Sequence, residues 1–179
     1  VVAATVLYFS GWRPSGAVNP GQLVSPARPI ADALFQTLDG EQLRLYALHG
    51  KWSLVYFGPA ECAPACERSL YKMRQVHAAQ GREPDRVQRV FVVTDRNALD
   101  PLRYTLKEYP GMIVLIGPGP SVRALAEQFR LAEGTPPSLP ERIYVLDPNG
   151  NFMMHYPPEA DPSGMRKDLA RLLRLSRIG

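Results

Sequence analysis

The chain has 179 residues, of which 45% are hydrophobic and 21% charged, so it is neither wholly disordered nor long enough for two full domains. The net charge of +4 comes from scattered Lys and Arg without a basic stripe, so nothing indicates nucleic-acid binding; a solvated surface or attraction to an anionic membrane explains it. The 18 prolines are clustered, which indicates loops and a stiff linker.

The N-terminal segment is apolar but too short to cross a bilayer. Its first nine residues read VVAATVLYF, whereas a spanning helix needs about 20. Trp12 and Arg13 resemble interfacial anchors. We expect residues 1–11 to end a membrane anchor and 12–29 to form a Pro/Gly-rich linker, the alternative being an N-terminal strand or packed helical turn. An anchor would place the domain in the periplasm, where disulfides form.

A globular pattern begins at about residue 30. Residues 33–38 and 42–45 predict a β-hairpin, with Asp39-Gly40 as its turn. The almost entirely apolar run 52–57 predicts a strand that is buried on both faces. A helix over 65–79 and a second buried strand over 87–94 follow.

The second half continues the alternation of helices and strands. We expect a helix over 100–109 ended by Pro110, then a strand over 112–116 and a helix over 121–129 with Ser121 as N-cap. A proline-rich loop over 133–141 follows. The chain then forms a hairpin of 143–146 and 152–156 with Asn149-Gly150 in its turn, and it ends in an amphipathic helix over 162–176. This order predicts an α/β fold in which helices flank a mixed sheet. A buried strand that leads into a cysteine-bearing helix is the thioredoxin-like arrangement.

The two cysteines, Cys62 and Cys66, lie where the first buried strand gives way to a helix. The unpaired N–H groups and the positive dipole end of a helix stabilise a thiolate there. A spacing of four residues places both sulfurs on one helix face, close enough to form a bond or to clamp one ion. A structural disulfide, a buried pair of free thiols and a functional dithiol are the three interpretations, and the position favours the functional dithiol.

At these residues the sequence resembles the Sco/SenC family. The segment GKWSLVYFGPAECAPACERSLYKM (50–73) is similar to that family's strand, CxxxC pair and helix. VFVVTD (90–95), GPGPSVRALAEQFRL (117–131) and YVLDPNGNF (144–152) resemble its second strand, next helix and final hairpin. The likeness covers residues 30–175.

The resemblance implies a membrane-anchored, thioredoxin-fold protein that assists assembly of the copper centre of cytochrome c oxidase. Such proteins bind copper through the two cysteines, here Cys62 and Cys66, and one histidine. The position of that histidine is Leu139 here, and leucine cannot bind a metal. The histidines that the chain does have, His49, His77 and His155, do not match that position, and Met153 and Met154 are more typical of a core.

Without the histidine, thiol–disulfide exchange is the chemistry that remains, and an oxidase subunit or another assembly factor is the expected partner. The alternatives are a copper(I) carrier that uses the two cysteines, and a general thiol–disulfide oxidoreductase. Cys62 lies nearer the loop, so we expect it to be the nucleophile. Asp95 is expected to orient the site loop, accept a proton or cap a helix, and Pro137 or Pro140 lies near the place of a thioredoxin cis-proline.

Overall fold

The computed structural model describes residues 21–131 and 142–176. Within them the strands are β1 (Gln22–Pro29), β2 (Leu34–Gln36), β3 (Gln42–Arg44), β4 (Trp52–Gly58), β5 (Val87–Val93), β6 (Met112–Leu115), β7 (Ile143–Leu146) and β8 (Asn151–Tyr156). The α-helices are α1 (Pro64–Ala78), α2 (Leu99–Thr105), α3 (Gly119–Glu127) and α4 (Pro162–Leu175). Short 3-10 turns cover Leu45–Leu48, Pro84–Arg86 and Leu106–Glu108.

Six strands form the main sheet in the order β1-β8-β7-β4-β5-β6. Strands β4, β5 and β6 run parallel, whereas β7 is antiparallel to β4, and β8 is antiparallel to both β7 and β1. The prediction of a mixed sheet flanked by helices is therefore confirmed. The carboxyl ends of β4 and β5 lie next to the start of β7 at the same end of the strands. The cysteines follow β4 at that end.

The side chains of β4 alternate between two hydrophobic clusters. Leu54 and Tyr56 pack with α1 and α4 on one face, while Val55 and Phe57 pack with α3 on the other. All seven residues of β4 are buried. A strand covered on both faces has no position for a solvated side chain, which explains the continuous apolar run in the sequence.

The small hairpin of β2 and β3 forms as the sequence predicts. Phe35 pairs with Leu43, and Gly40 adopts the left-handed conformation (φ +82°) that the turn requires. A backbone bridge between Gln36 and Ile116 joins the hairpin to the end of β6. The predicted N-terminal hairpin is thereby attached to the edge of the main sheet.

The structure differs from the linker prediction in the second half of 12–29. Residues 22–29 form β1, an edge strand that pairs with β8 and has a register shift between Leu23 and Arg28. The Pro and Gly content suggested a linker, but an edge strand tolerates such residues because one side of its backbone needs no partner in the sheet. The predicted anchor over 1–11 lies outside the described residues. No helix within 21–131 and 142–176 combines the length and apolarity needed to cross a membrane.

Helix boundaries differ from the sequence prediction in two places. Helix α3 begins at Gly119 after Pro118, so Ser121 lies inside its first turn and is not the N-cap. The predicted helix 100–109 is split into α2 and the 3-10 turn that ends at Glu108. Proline at the start of a helix meets no steric conflict, which is why Pro118 and Pro120 did not delay α3 to Ser121. The predicted loop 133–141 lies outside the described residues.

Candidate functional site

The two cysteines form a disulfide at the junction of β4 and α1. Their Cα atoms are 5.2 Å apart. Cys66 is the third residue of α1, whereas Cys62 lies in the loop two residues before the helix begins. The expectation that both cysteines share one helix face is therefore wrong in detail, since the bond joins the loop to the first helical turn. The sulfurs are nevertheless within bonding reach, as the spacing predicts.

The two cysteines differ in exposure. Cys66 is 4% exposed and belongs to the hydrophobic cluster under α1. Cys62 is only partly buried against the edge of the same cluster. An incoming thiolate must approach a sulfur along the axis of the disulfide bond, and only an exposed sulfur allows that approach. The geometry therefore makes Cys62 the accessible member of the pair.

The first turn of α1 offers a favourable place for a thiolate. The opening N–H groups of a helix have no intrahelical acceptor, and they form the positive end of the helix dipole. Ala63 precedes the helix and supplies no side-chain acceptor to cap them, and Pro64 opens it. When the disulfide is reduced, these N–H groups can stabilise negative charge on sulfur.

Backbone hydrogen bonds hold the cysteine loop against the end of β5. The Ala60 N–H donates to the Asp95 carbonyl at 2.9 Å, and the Thr94 N–H donates to the Gly58 carbonyl at 2.8 Å. The Asp95 carboxylate instead accepts the Asn97 N–H at 2.9 Å. Asp95 thus positions the site loop through its main chain, while its side chain caps the following turn.

Tyr56 and Gly58 shape the start of this loop, and sequence analysis did not single them out. A Cβ atom on Gly58 would lie 2.6 Å from Cε1 of Tyr56, well inside van der Waals contact. Tyr56 is 2% exposed and its ring packs 5.4 Å from that of Phe91. Gly58 is therefore required because a buried ring occupies the space beside its Cα. The only available signal was a glycine that directly follows a buried strand.

Tyr109 packs beside the first turns of α1 and was also missed. Its hydroxyl donates to the Glu67 carbonyl at 3.4 Å, next to Cys66, and the Arg74 guanidinium lies over its ring. Burial is the main cause that raises the pKa of Tyr109, and Glu67 adds to the effect. A neutral phenol therefore braces the cysteine-bearing turn. From sequence, Tyr109 only marked the end of a helix.

Two of the histidines lie away from the cysteines. His77 is eleven residues after Cys66 on the same helix, about 16 Å along its axis, and its Nε2 is 2.8 Å from the Pro84 carbonyl. His49 follows the 3-10 turn before β4, at the opposite end of that strand from the cysteines. Neither can share an ion with the two sulfurs.

His155 lies on the other face of the sheet. It pairs with Tyr144, which in turn pairs with Val55 in the cluster against α3. Its Nδ1 is 2.9 Å from Nη1 of Arg142. Burial, followed by the charge of Arg142, lowers the pKa of His155 from 6.5 to about 4. A neutral, buried imidazole across the sheet is not a ligand for the cysteine site.

The described residues provide two sulfurs and no third donor at this site. Within 21–131 and 142–176, no group of three or more His, Cys, Asp or Glu side chains is arranged to hold a metal. Met153 and Met154 are fully buried in the core. Leu139, Pro137 and Pro140 lie outside the described residues, so their expected places beside the site stay predictions.

Comparisons with known proteins agree with the fold and with the resemblance. A family model described as "Transmembrane-like, thioredoxin-like, C-terminal domain" matches residues 52–176. The "SCO2-like protein" of Rickettsia conorii is 26% identical over 152 residues, which cover 75% of this chain and 73% of the relative. The resemblance to Sco/SenC proteins is thereby confirmed.

Solved structures show the same fold. Yeast Sco1 with copper bound superposes with a TM-score of 0.69 at 20% identity, over 82% of this chain and 89% of that one. BsSco is described as having a disulfide switch and as a member of the Sco family of cytochrome c oxidase assembly proteins. It superposes with a TM-score of 0.65 at 18% identity, over 85% of this chain and 98% of BsSco. At these identities the likeness establishes a thioredoxin-like fold.

Proposed function

We propose that this chain, which belongs to the family described as "Transmembrane-like, thioredoxin-like, C-terminal domain", assists assembly of the copper centre of cytochrome c oxidase. It does so by thiol–disulfide exchange. The observation that carries this proposal is the Cys62–Cys66 disulfide at the junction of β4 and α1, with one sulfur accessible and the other buried. The link to the oxidase is supported by BsSco, which is described as an oxidase assembly protein.

The exchange transfers two electrons from the reduced protein to its client. The Cys62 thiolate attacks a client disulfide, forms an intermolecular disulfide and releases one client thiolate, which takes up a proton. The Cys66 thiolate then attacks the Cys62 sulfur, restores the bond seen in the structure and releases the second client thiolate. The client disulfide is reduced to a dithiol and the protein dithiol is oxidised. Copper can load onto client cysteines only in that reduced state.

Carriage of copper(I) is the second candidate function. Yeast Sco1 is described with copper bound, and two adjacent thiolates are soft ligands for Cu(I). The described part of this chain offers the reduced Cys62 and Cys66 as donors but no imidazole beside them. This donor set favours exchange over retention of copper, and copper is then the cargo of the assembly reaction.

The cellular setting is part of the proposal. We expect residues 1–11 to be the end of a membrane anchor and the domain to face the periplasm, where its client is assembled. A general thiol–disulfide oxidoreductase has the same sulfur chemistry but no preference for oxidase subunits. The double variant Cys62→Ser/Cys66→Ser, expressed in place of the wild type in its own host, distinguishes the two functions. An oxidase assembly factor predicts that oxidase activity is lost while other disulfide-dependent activities are kept.

Trapping the intermediate tests the exchange directly. Reduced Cys66→Ser, mixed with a synthetic peptide that has a CxxxC disulfide, should accumulate a mixed disulfide, because the resolving thiol is absent. Reduced Cys62→Ser is the matched control and should accumulate little, since its remaining thiol is 4% exposed in the folded protein. Mass spectrometry of the non-reduced adducts measures both. Equal trapping by the two variants would contradict the assigned roles.

Copper titration separates the two candidates. Reduced protein titrated with Cu(I) against a calibrated chelator should retain copper weakly if exchange is the function. Tight one-to-one retention that is lost in Cys62→Ala would establish the carrier instead.

A further inference from the structure

A cavity of about 220 Å³ lies against the face of the main sheet opposite to α1. Its walls are aliphatic side chains of the parallel strands together with residues in and after α3. They include Val55, Val92, Leu115, Leu125 and Phe129. A cavity lined by apolar side chains alone stays dry, and one of about 150 Å³ is large enough to bind benzene. The space therefore suits an apolar body somewhat larger than a single ring.

The lining also has an aromatic and acidic part that is exposed to solvent. Tyr46 is 66% exposed, and the centroid of its ring lies 4.5 Å from that of His49, with the two planes tilted by 39°. His49 lies against Gly150, where a Cβ would come within 2.3 Å of Nε2. Gly150 has a φ of +79°, so both the turn and the position of the imidazole ring require glycine there. The two rings form an aromatic rim on the exposed side of the cavity.

Two carboxylates complete this rim. The Tyr46 N–H donates to Oδ1 of Asp32 at 3.0 Å, and this hydrogen bond is the main cause that lowers the pKa of Asp32. Oδ2 of Asp32 lies 3.2 Å from Nη1 of the exposed Arg44. The N–H groups of Asn149 and Asn151 both donate to Oδ1 of Asp147 at 2.9 Å. Asn151 Nδ2 also donates to Oδ2 of Asp147 at 3.1 Å. Both acids are thus held in place, and each keeps acceptor capacity for a further donor.

We propose that this cavity binds a small organic cation, with its apolar body among the aliphatic side chains and its ammonium group at the rim formed by Asp32, Tyr46, His49 and Asp147. Aromatic faces next to carboxylates are the composition that recognises organic ammonium groups. An anionic ligand would meet two carboxylates, and a wholly apolar one would leave the rim without a partner.

The site is separate from the disulfide. Val55 lines the cavity, whereas its neighbours Leu54 and Tyr56 belong to the cluster under α1 that includes Cys66. The sheet itself lies between the two. Ligand binding is therefore expected for both the oxidised and the reduced protein, and it does not depend on the proposed exchange function.

Three matched probes test the charge preference. The oxidised 179-residue chain is titrated with 2-phenylethylamine, 2-phenylethanol and 3-phenylpropanoate and followed by amide chemical shifts. The amine should bind saturably, with shifts centred on Tyr46, Ser53 and Gly150, and more tightly than the alcohol. The carboxylate should bind most weakly. No saturable binding of the amine, or binding of the carboxylate as tight as that of the amine, would overturn the proposal.

Isosteric variants identify the rim. Asp32→Asn/Asp147→Asn keeps an acceptor oxygen at both positions but removes both charges, so we expect the amine to bind about fivefold more weakly. Affinity for the alcohol should stay within about twofold, since that probe has no charge to pair. Asp39→Asn/Asp161→Asn, at acids outside the cavity lining, is the control and should change neither affinity. An unchanged amine affinity in the first variant would also overturn the proposal.

Discussion

Cys62 and Cys66 share one bond but have different surroundings. Cys66 is packed in the core beneath the first turn of α1, and Cys62 is partly open in the loop that precedes it. The difference follows from local structure, because Cys66 lies on the face of α1 that packs against the core, whereas Cys62 lies in the loop before the helix. This asymmetry assigns attack to Cys62 and resolution to Cys66 in the proposed exchange.

His155 illustrates how burial changes a residue whose type suggests a ligand. It is 6% exposed, and its Nδ1 faces the guanidinium of Arg142. Both burial and that positive charge disfavour a proton on the ring, which lowers the pKa to about 4. The imidazole is therefore neutral at pH 7.

The lowered pKa predicts acid sensitivity. In the unfolded chain the histidine takes up a proton near pH 6.5, but the folded protein resists this until about pH 4. The contribution of His155 to folding stability is therefore fully present above pH 6.5 and is lost progressively as the pH falls towards 4. In urea unfolding measured at several pH values, His155→Gln should show a smaller loss over this range than the wild type.

A histidine control belongs to the same measurement. His49→Gln changes an exposed ring far from Arg142 and should keep the wild-type pH dependence. If His155→Gln lost stability with acid as steeply as the wild type, His155 would not be the group responsible.

At the scale of elements, the end of β4 controls the cysteine loop. The loop leaves the strand at Gly58, beneath the ring of Tyr56, and is held to β5 through the Ala60 N–H and the Asp95 carbonyl. The loop has little freedom before it reaches Cys62. Its geometry comes from a strand, a ring and two backbone hydrogen bonds that belong to different parts of the chain.

Gly58→Ala should disturb this junction. The added Cβ would meet a ring that is 2% exposed and cannot swing away, so we expect a loss of about 1–3 kcal/mol in unfolding free energy. The shifted loop should also change the rate at which dithiothreitol reduces the disulfide. Urea unfolding and a timed thiol assay measure the two effects.

Gly119→Ala is the matched control for that substitution. Its Cβ would meet only the flexible end of Arg123, at 3.0 Å, which can move into solvent. The control should lose little stability and keep the wild-type reduction rate. A Gly58→Ala protein as stable as this control would refute the steric role of Tyr56.

For the whole molecule, β1 closes one edge of the main sheet and belongs to the domain. Gln22 pairs with His155, and Arg28 lies over the ring of Phe152 at 5.2 Å. The Gly21 N–H donates to the buried carboxylate of Asp168 in α4 at 3.0 Å. Residues 21–29 are therefore part of the domain, which does not begin at residue 30.

Truncation tests this boundary. A chain that begins at residue 30 loses β1 and exposes β8, so we expect it to lose on the order of 2–5 kcal/mol of stability and to aggregate. A chain that begins at residue 21 keeps every pairing of β1 and should match the full chain. Thermal unfolding and light scattering measure the stability and the aggregation of both chains. Equal stability of the two chains would show that residues 22–29 do not stabilise the domain and would support their assignment to the linker.

The sheet also separates the two sites of the molecule. The disulfide lies at the junction of β4 and α1, beside the hydrophobic cluster on one face of the sheet. The cavity lies beneath α3 on the other face. Because a thioredoxin-like sheet is covered on both faces, each face can have a site of its own. The sequence motifs indicated only the first of them.

The sequence by itself determined the mixed sheet, the small hairpin and the place of the cysteines at the end of a buried strand. These features follow from local patterns: runs of apolar residues, turn glycines and a spacing of four. The tertiary structure alone decided that β1 joins the sheet, that Tyr56 requires Gly58, that His155 faces away from the cysteines and that a cavity lies beneath α3. The first, third and fourth of these depend on contacts between segments distant in the chain, and the second depends on the packing of the Tyr56 ring against Phe91 of β5. No local pattern records which segments will meet.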